Sequence, residues 1–254
     1  MNHAEQGIGQ PLVLIHGFPH DHTLWKPQLE GLSDVARVIA PDLRGFGHTE
    51  NVPHTVTMDD HAKDIKALLD RLGIERAVIG GLSMGGYVAL AFAALFPRSL
   101  HGLLLCNTRA VADNEQARKA RYVTAGRALS EGLNGIADEM APKMIAERSA
   151  QLYPELTGRI HAMIARQPAQ GTAASARGMA QRPDRIPMLP SIHAPTLIIT
   201  GSADTLIPPS ESEAMAARIP DSELVVIPDV GHLSNLEDAE AFNGAVRRFL
   251  QRSN

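Results

Sequence analysis

The chain of 254 residues is 44% hydrophobic with a formal net charge of −4, which supplies one large core and favours a single domain. This slight acidity, without a Lys/Arg-rich run, argues against a nucleic-acid or anionic-membrane partner and favours a small molecule. No apolar run approaches the roughly 18 residues of a membrane span, residues 1–10 lack a signal-peptide pattern and the single cysteine excludes an internal disulfide, so we expect a cytoplasmic protein.

Short apolar runs alternate with amphipathic segments in the first half of the chain. The runs predict strands at residues 12–15, 36–40, 77–79 and 100–106. Helices are predicted at residues 24–32, from Thr57 to Gly73 and at residues 87–93. This alternation is typical of a parallel α/β sheet with right-handed crossovers. Cys106 ends an apolar run and is expected to be a buried small hydrophobe.

The alternation stops between residue 108 and about residue 192, where the sequence is rich in Ala, Arg and Met. We predict a helical lid over about 109–192, inserted between core segments 1–108 and 193–254 of one domain. Four methionines in it either line a pliable pocket or, as is commoner, belong to the core: Met140, Met144, Met163 and Met179. The alternation then resumes with a strand at 195–200, a helix at 210–219, a strand at 223–227 and a closing helix at 235–251.

One short motif lies between a predicted strand and a predicted helix. Gly81, Ser83 and Gly85 form a G-x-S-x-G pattern, in which the serine occupies a sharp turn and projects beyond the strand. The Met84 N–H at the start of the helix would then favour a developing negative charge. The Phe18 N–H, after the strand at 12–15, is a candidate second donor. In the simpler interpretation, Ser83 only caps the helix.

Several motifs together resemble serine hydrolases of the α/β-hydrolase superfamily. They are HGFP at 16–19, DLRGFG at 42–47, GLSMGG at 81–86, GSAD at 201–204 and GH at 231–232. The resemblance implies a mostly parallel sheet with helices on both faces and a helical lid. Within this superfamily, the stretches at 107–110, 231–237 and 240–243 are similar to 3-oxoadipate enol-lactonases and related small carboxylesterases.

The resemblance implies a catalytic triad of Ser83 as nucleophile, His232 as base and Asp204 as acid. The chemistry agrees, because a serine hydroxyl is protonated at neutral pH and needs a base such as neutral imidazole. Asp204 would hold the imidazole tautomer. Asp229 competes as the acid, being three residues from His232, but Asp204 follows a different strand and is preferred. His16 is expected to hydrogen-bond the backbone and shape its loop.

Other polar residues give weaker evidence for a different function, such as metal binding. His20, Asp21 and His22 are potential metal ligands, but their spacing matches no zinc signature and a serine mechanism does not use a metal. Arg44, in a glycine-rich loop, is expected to make structural hydrogen bonds. We expect neither a metal nor an organic cofactor.

The N-terminus departs from the family pattern. Related proteins commonly begin with two antiparallel strands, whereas only eleven residues precede the first predicted buried strand here. Unless residues 2–8 form a short cover strand, the strand at 36–40 becomes a sheet edge that must be protected or paired. Dimerisation through that edge is a hypothesis, and the chain is expected to be a monomer or a homodimer.

The expected reaction is hydrolysis of a small-molecule carboxylic ester or lactone through an acyl-enzyme. Two alternatives use the same residues. One is a small-molecule receptor with slow turnover, and the other is a cofactor-free perhydrolase or haloperoxidase-like enzyme.

Overall fold

The computed structural model describes residues 1–50 and 52–252. Its sheet has seven strands in the described chain, in the spatial order β1-β3-β2-β4-β5-β6-β7. They are β1 (His3–Gln6), β2 (Gln10–Ile15), β3 (Ala36–Pro41), β4 (Ala77–Leu82), β5 (Leu100–Cys106), β6 (Thr196–Gly201) and β7 (Ser222–Ile227). All neighbouring pairs are parallel except β1 with β3. The carboxyl ends of β2 to β7 therefore share one edge of the sheet, called here the strand-end edge.

Helices connect and flank these strands. Those outside the β5–β6 connection are α1 (Lys26–Leu32), α2 (Met58–Arg71), α3 (Met84–Leu95), α9 (Pro209–Ala216), α10 (Ser234–Glu237) and α11 (Ala239–Arg252). Between β5 and β6 lie α4 (Glu115–Glu131), α5 (Asn134–Met140), α6 (Glu147–Leu152), α7 (Pro154–Ala165) and α8 (Ala169–Ala180). We call residues 107–195 the helical insertion. In the described residues, no helix is both long and apolar enough to cross a membrane.

The central strands are buried on both faces, which explains their continuous apolar runs. Successive side chains point to opposite faces of the sheet, so Val13 and Ile15 join one hydrophobic cluster while Leu12 and Leu14 join the other. Cys106 is fully buried in the second cluster. The prediction of a mostly parallel sheet between helical layers is confirmed.

The N-terminal strand removes the exposed edge that the sequence suggested. β1 pairs with β3 in antiparallel register, with His3 opposite Pro41 and Gln6 opposite Val38. Gly7 allows this path, since its φ is +86° and an added Cβ would lie 2.2 Å from the Ala36 carbonyl oxygen. The described residues before β2 form one strand rather than the pair common in related proteins, and this strand covers β3. The premise of dimerisation through β3 is therefore wrong.

The predicted closing helix is also wrong in one respect, because it is two helices. The chain leaves helical geometry at Asp238, whose φ is −138° and ψ is 77°. The Asp238 carboxylate accepts a hydrogen bond from the Ala241 N–H at 2.9 Å and so caps α11. The break turns Glu237 inward, where its side chain is buried.

The last helix of the insertion packs directly on core loops. An added Cβ on Gly171 would lie 1.7 Å from the Gly45 carbonyl oxygen, and one on Gly178 would lie 1.8 Å from the Val56 carbonyl oxygen. Only glycine permits such close backbone approach. The small residues of α8 thus bring the insertion against the loops that follow β3.

Candidate active site

Ser83 occupies a sharp turn between β4 and α3. Its φ is +55° and its ψ is −114°, a conformation that is strained for a residue with a side chain. Its N–H donates to the Cys106 carbonyl oxygen at 2.9 Å. A Cβ added to Gly81 would lie 2.0 Å from the Gly85 carbonyl oxygen, and one added to Gly85 would lie 2.1 Å from the Ile15 carbonyl oxygen. The flanking glycines therefore let strand and helix meet closely enough to hold this turn.

The two backbone N–H groups predicted as oxyanion donors begin a helix and lie in a turn, respectively. Met84 is the first residue of α3, whose opening N–H groups have no partner within the helix. Phe18 lies in the turn after β2 that the His20 N–H closes on the Gly17 oxygen at 3.0 Å. Within the described chain, neither the Met84 nor the Phe18 N–H has a recorded partner. Both remain able to donate to an oxyanion.

His232 and Asp204 contact each other across two adjacent loops. The Nδ1 atom of His232 lies 2.9 Å from Oδ2 of Asp204, and both side chains are almost completely buried. The other carboxylate oxygen accepts the N–H groups of Leu206 and Ile207, each at 2.9 Å. Burial raises the pKa of Asp204, but its hydrogen bonds outweigh burial and leave the pKa below its usual value. When the His232 Nδ1 carries a proton and donates it to Asp204, the Nε2 atom has a lone pair that can accept a second proton.

Asn107 connects the loops that follow three strands, a role that sequence reasoning missed. Its φ is +45°, and its side-chain amide donates to Asp204 Oδ2 at 3.0 Å and to the Gly231 oxygen at 3.1 Å. Its own oxygen accepts from the Ser234 hydroxyl at 2.5 Å. The motif at 107–110 marked this position, but its contacts depend on strand order rather than on local sequence.

Glu237 holds the loop of His232 on both sides and was also missed. Its carboxylate accepts the Gly231 N–H at 2.9 Å and the Leu233 N–H at 3.2 Å. It also accepts the Ala146 N–H at 2.8 Å and the Ser149 hydroxyl at 2.6 Å, both from the helical insertion. One buried carboxylate therefore ties the insertion to the residues flanking His232.

The remaining candidates occupy separate positions. Asp229 is exposed and pairs with Arg148, so Asp204 is the carboxylate that contacts His232. In the described chain, no hydrogen bond joins Ser83 to His232, and such contacts are often loose without substrate. His16 shapes its loop as expected, with Nδ1 2.8 Å from the Gly17 oxygen and the Leu43 N–H donating to Nε2 at 3.1 Å.

The acidic and histidine side chains after the Phe18 turn make protein contacts. The Asp21 carboxylate accepts from Arg166 at 2.7 Å and from Gln167 at 2.8 Å, which ties this turn to the insertion. His22 Nδ1 lies 2.7 Å from Asp42 Oδ1. Asp21, His22 and Asp42 are close enough together to hold a metal ion, but cationic and N–H groups already occupy the two carboxylates. Their contacts fit a structural role better than a metal site.

Two further predictions concern packing. Arg44 makes the expected structural contact by pairing with Asp64. The four methionines of the insertion pack in or against the hydrophobic core: Met140, Met144, Met163 and Met179. Two grooves of about 600 Å³ each lie elsewhere, one lined in part by residues of the loop after β7 and one near the amino end of β5.

This fold and arrangement define the class. A family model described as the alpha/beta hydrolase fold matches residues 10–239, and the chain belongs to that family. A 3-oxoadipate enol-lactonase of Acinetobacter baylyi is 32% identical over 91% of this chain and 85% of its own length. A thermophilic esterase from Thermogutta terrifontis superposes with a TM-score of 0.97 at 45% identity, covering 99% of this chain and 93% of that one.

An enol-lactonase from Burkholderia xenovorans has the same fold, with a TM-score of 0.91, 30% identity and coverage of 98% and 96% of the two chains. The expected likeness to enol-lactonases and small esterases is confirmed. The protein is therefore an α/β hydrolase, and its relatives include ester and lactone hydrolases.

Proposed function

We propose that the protein hydrolyses carboxylic esters or lactones of small molecules, with Ser83 as nucleophile. The observation that carries this proposal is the His232–Asp204 pair, which lies on the same strand-end edge as the strained turn of Ser83. A serine, a paired imidazole and free N–H donors are the groups that acyl transfer requires.

Each group has one task in the proposed reaction. His232 Nε2 takes the hydroxyl proton as Ser83 Oγ bonds the carbonyl carbon, and Asp204 stabilises the imidazolium that forms. The N–H groups of Phe18 and Met84 hold the oxyanion. The imidazolium then protonates the departing alcohol oxygen, leaving an acyl-enzyme. His232 next takes a proton from water as the water oxygen attacks the acyl carbon. The imidazolium then gives that proton to the departing Ser83 oxygen, which releases the acid and restores Ser83.

The relatives support this reaction over the two alternatives from sequence. The proteins with high coverage that resemble the chain include an esterase and two enol-lactonases. A lactone differs from an open ester only in that its leaving oxygen stays attached to the acyl group, so the same residues serve both. Two bromoperoxidase structures also share the fold, but at 25% and 23% identity they are less similar to this chain than the esterase and the enol-lactonases.

The test compares wild type with Ser83→Ala. Hydrolysis of p-nitrophenyl acetate, butyrate and octanoate is measured together with intact mass after treatment with a serine-directed phosphonate. We expect Ser83→Ala to lose roughly a million-fold in kcat and to take up no phosphonate, whereas wild type takes up one.

Ser130→Ala is the matched control, because Ser130 is an exposed serine on α4 whose hydroxyl bonds only its own helix. It should keep full activity and one adduct. Equal hydrolysis by wild type and Ser83→Ala would refute the proposal. Labelling of Ser83 with only a few turnovers per hour would favour the receptor alternative instead.

A further inference from the structure

His20 is a buried imidazole for which the proposed reaction has no use. Only 1% of its surface is exposed, and neither ring nitrogen has a hydrogen-bond partner among the described residues. Its own backbone is fixed, because its N–H donates to the Gly17 oxygen at 3.0 Å. Buried polar side chains nearly always have a partner, so an unpaired imidazole at a candidate active site needs an explanation.

The neighbours of His20 direct their side chains elsewhere. Asp21 pairs with Arg166 and Gln167 of the insertion, and His22 lies against Asp42. The His20 ring instead lies beside Gly17: its Nδ1 would be 3.5 Å from a Cβ added to Gly17. It is also within electrostatic range of His232. The ring therefore lies beside Gly17, on the turn that carries the Phe18 N–H.

The protonation state of His20 defines what it can bind. Burial, reinforced by repulsion from His16 and His232, lowers the pKa of His20 to about 3 although Asp21 opposes this. The ring is therefore neutral at neutral pH. A neutral imidazole offers one N–H donor and one nitrogen acceptor, so its natural partner is an uncharged oxygen group.

We propose that His20 is a specificity residue that hydrogen-bonds an oxygen substituent on the acyl carbon next to the scissile carbonyl. This rests on the proposed function, in which the Phe18 N–H holds the carbonyl oxygen. A substituent on the adjacent carbon lies close to that carbonyl oxygen, and His20 is two residues further along the turn that carries the Phe18 N–H. An alkyl substituent would leave the imidazole without a hydrogen-bond partner and without water, so we expect unsubstituted alkyl esters to be poorer substrates.

The test uses two esters of nearly the same shape, ethyl methoxyacetate and ethyl butyrate, which differ by an oxygen in place of a methylene. Their kcat/KM ratio is measured for wild type, His20→Leu and His20→Gln, so that intrinsic ester reactivity cancels between variants. We expect the preference for methoxyacetate to fall about ten-fold or more in His20→Leu. His20→Gln, which retains a side-chain donor and acceptor, should recover part of it.

His61→Gln is the matched control, because His61 is also buried with one unpaired ring nitrogen but lies on α2 against Ser175 of α8. It should leave the ratio unchanged. An equal effect of His20→Leu on both esters would overturn the proposal, because a histidine that holds only a water or the turn does not distinguish the two substrates.

A binding measurement separates this proposal from the proposed function. Dissociation constants of both esters are measured by NMR titration on Ser83→Ala and on Ser83→Ala/His20→Leu, where no turnover is needed. A ten-fold loss of preference in the double variant supports the His20 contact even if wild type proves not to be a hydrolase. Equal affinities in both backgrounds, or saturable binding of neither ester, would overturn it.

Discussion

The strand-end edge and the helical insertion are held in place by different kinds of interaction. At the edge, the register of the parallel strands sets where each loop begins. The hydrogen bond from the Ser83 N–H to the Cys106 carbonyl oxygen extends the β4–β5 pairing by one residue. Buried charged side chains help to hold the insertion: Asp113 joins segments within it, and Glu237 ties it to the core. Strand register positions the candidate catalytic groups, whereas ion pairs and hydrogen bonds from N–H groups to carboxylates help to position the insertion.

This difference predicts that substitutions at the edge change activity with little change in stability, and that substitutions in the insertion do the reverse. The coupling point is Glu237, which bonds both regions. The predictions below separate the two regions, beginning with the largest expected effect.

Asp204→Asn should lower kcat by about 10⁴-fold with the fold intact. The asparagine amide would favour the wrong tautomer of His232 and could not stabilise the imidazolium. The measurement is ester hydrolysis by purified variant and wild type, together with their urea unfolding midpoints.

Asp229→Asn serves as the control, since Asp229 is the other carboxylate close in sequence to His232 but is exposed and pairs with Arg148. It should retain activity within about three-fold, because exposed ion pairs contribute little. A large loss in Asp229→Asn together with an active Asp204→Asn would reverse the assignment of the acid.

The residues of the edge could be predicted from sequence because family motifs mark them and each follows a short apolar run. Ser83 follows β4 directly, and Asp204 and His232 lie within five residues of the ends of β6 and β7. The contacts of Asn107 and Glu237 could not be predicted in the same way. They join residues far apart in the chain, and Glu237 turns inward only because Asp238 ends one helix and caps the next.

The sequence left the cover strand β1 only as an alternative, for a related reason. Its four residues, His3–Gln6, are polar enough to resemble a loop, and they form a strand because β3 offers an unpaired edge. In the insertion, amphipathic spacing predicted helices but not their partners. The close packing of α8 depends on Gly171 and Gly178 meeting Gly45 and Val56 of the connection between β3 and α2, which no local pattern encodes.

Asp113→Asn should destabilise the protein by about 3 kcal/mol while sparing the chemistry. The Asp113 carboxylate is fully buried and accepts from Arg109, Arg121 and Arg182 at 2.8, 3.1 and 2.8 Å. Burial raises the pKa of Asp113, but the guanidinium groups outweigh it and leave the pKa below its usual value. Without the charge, Arg182, which is 5% exposed and lies 4.0 Å over the Tyr87 ring, would be a buried cation with no counter-charge.

Urea unfolding measures the loss, and kcat is measured well below the unfolding midpoint. Asp138→Asn is the control, because Asp138 is an exposed carboxylate of the same insertion that pairs with His161. It should change stability by no more than about 0.5 kcal/mol. A drop in kcat without a drop in stability in Asp113→Asn would contradict the separation of the two regions.

His61 links the core to the insertion and should make this contact sensitive to acid. Its Nε2 lies 3.1 Å from the Ser175 hydroxyl of α8. Burial, with repulsion from His16 and Arg44 and weaker attraction to Asp60, lowers the pKa of His61 to about 3. In an unfolded chain an imidazole has a pKa of about 6.5. Between these values the unfolded state binds one more proton than the folded state, so stability is full above pH 6.5 and falls as the pH is lowered.

For one such histidine, the free energy of unfolding changes by up to about 1.4 kcal/mol per pH unit. Between pH 6.5 and pH 5, His61 should therefore account for about 2 kcal/mol of lost stability, which His61→Gln should remove because glutamine does not titrate. Urea unfolding at pH 7 and pH 5 measures this difference, and His193→Gln, which alters an exposed histidine, should leave the loss unchanged. If His61→Gln loses as much stability as wild type, the acid sensitivity arises elsewhere, and the contact between α2 and α8 is held by packing of small residues rather than by a neutral imidazole.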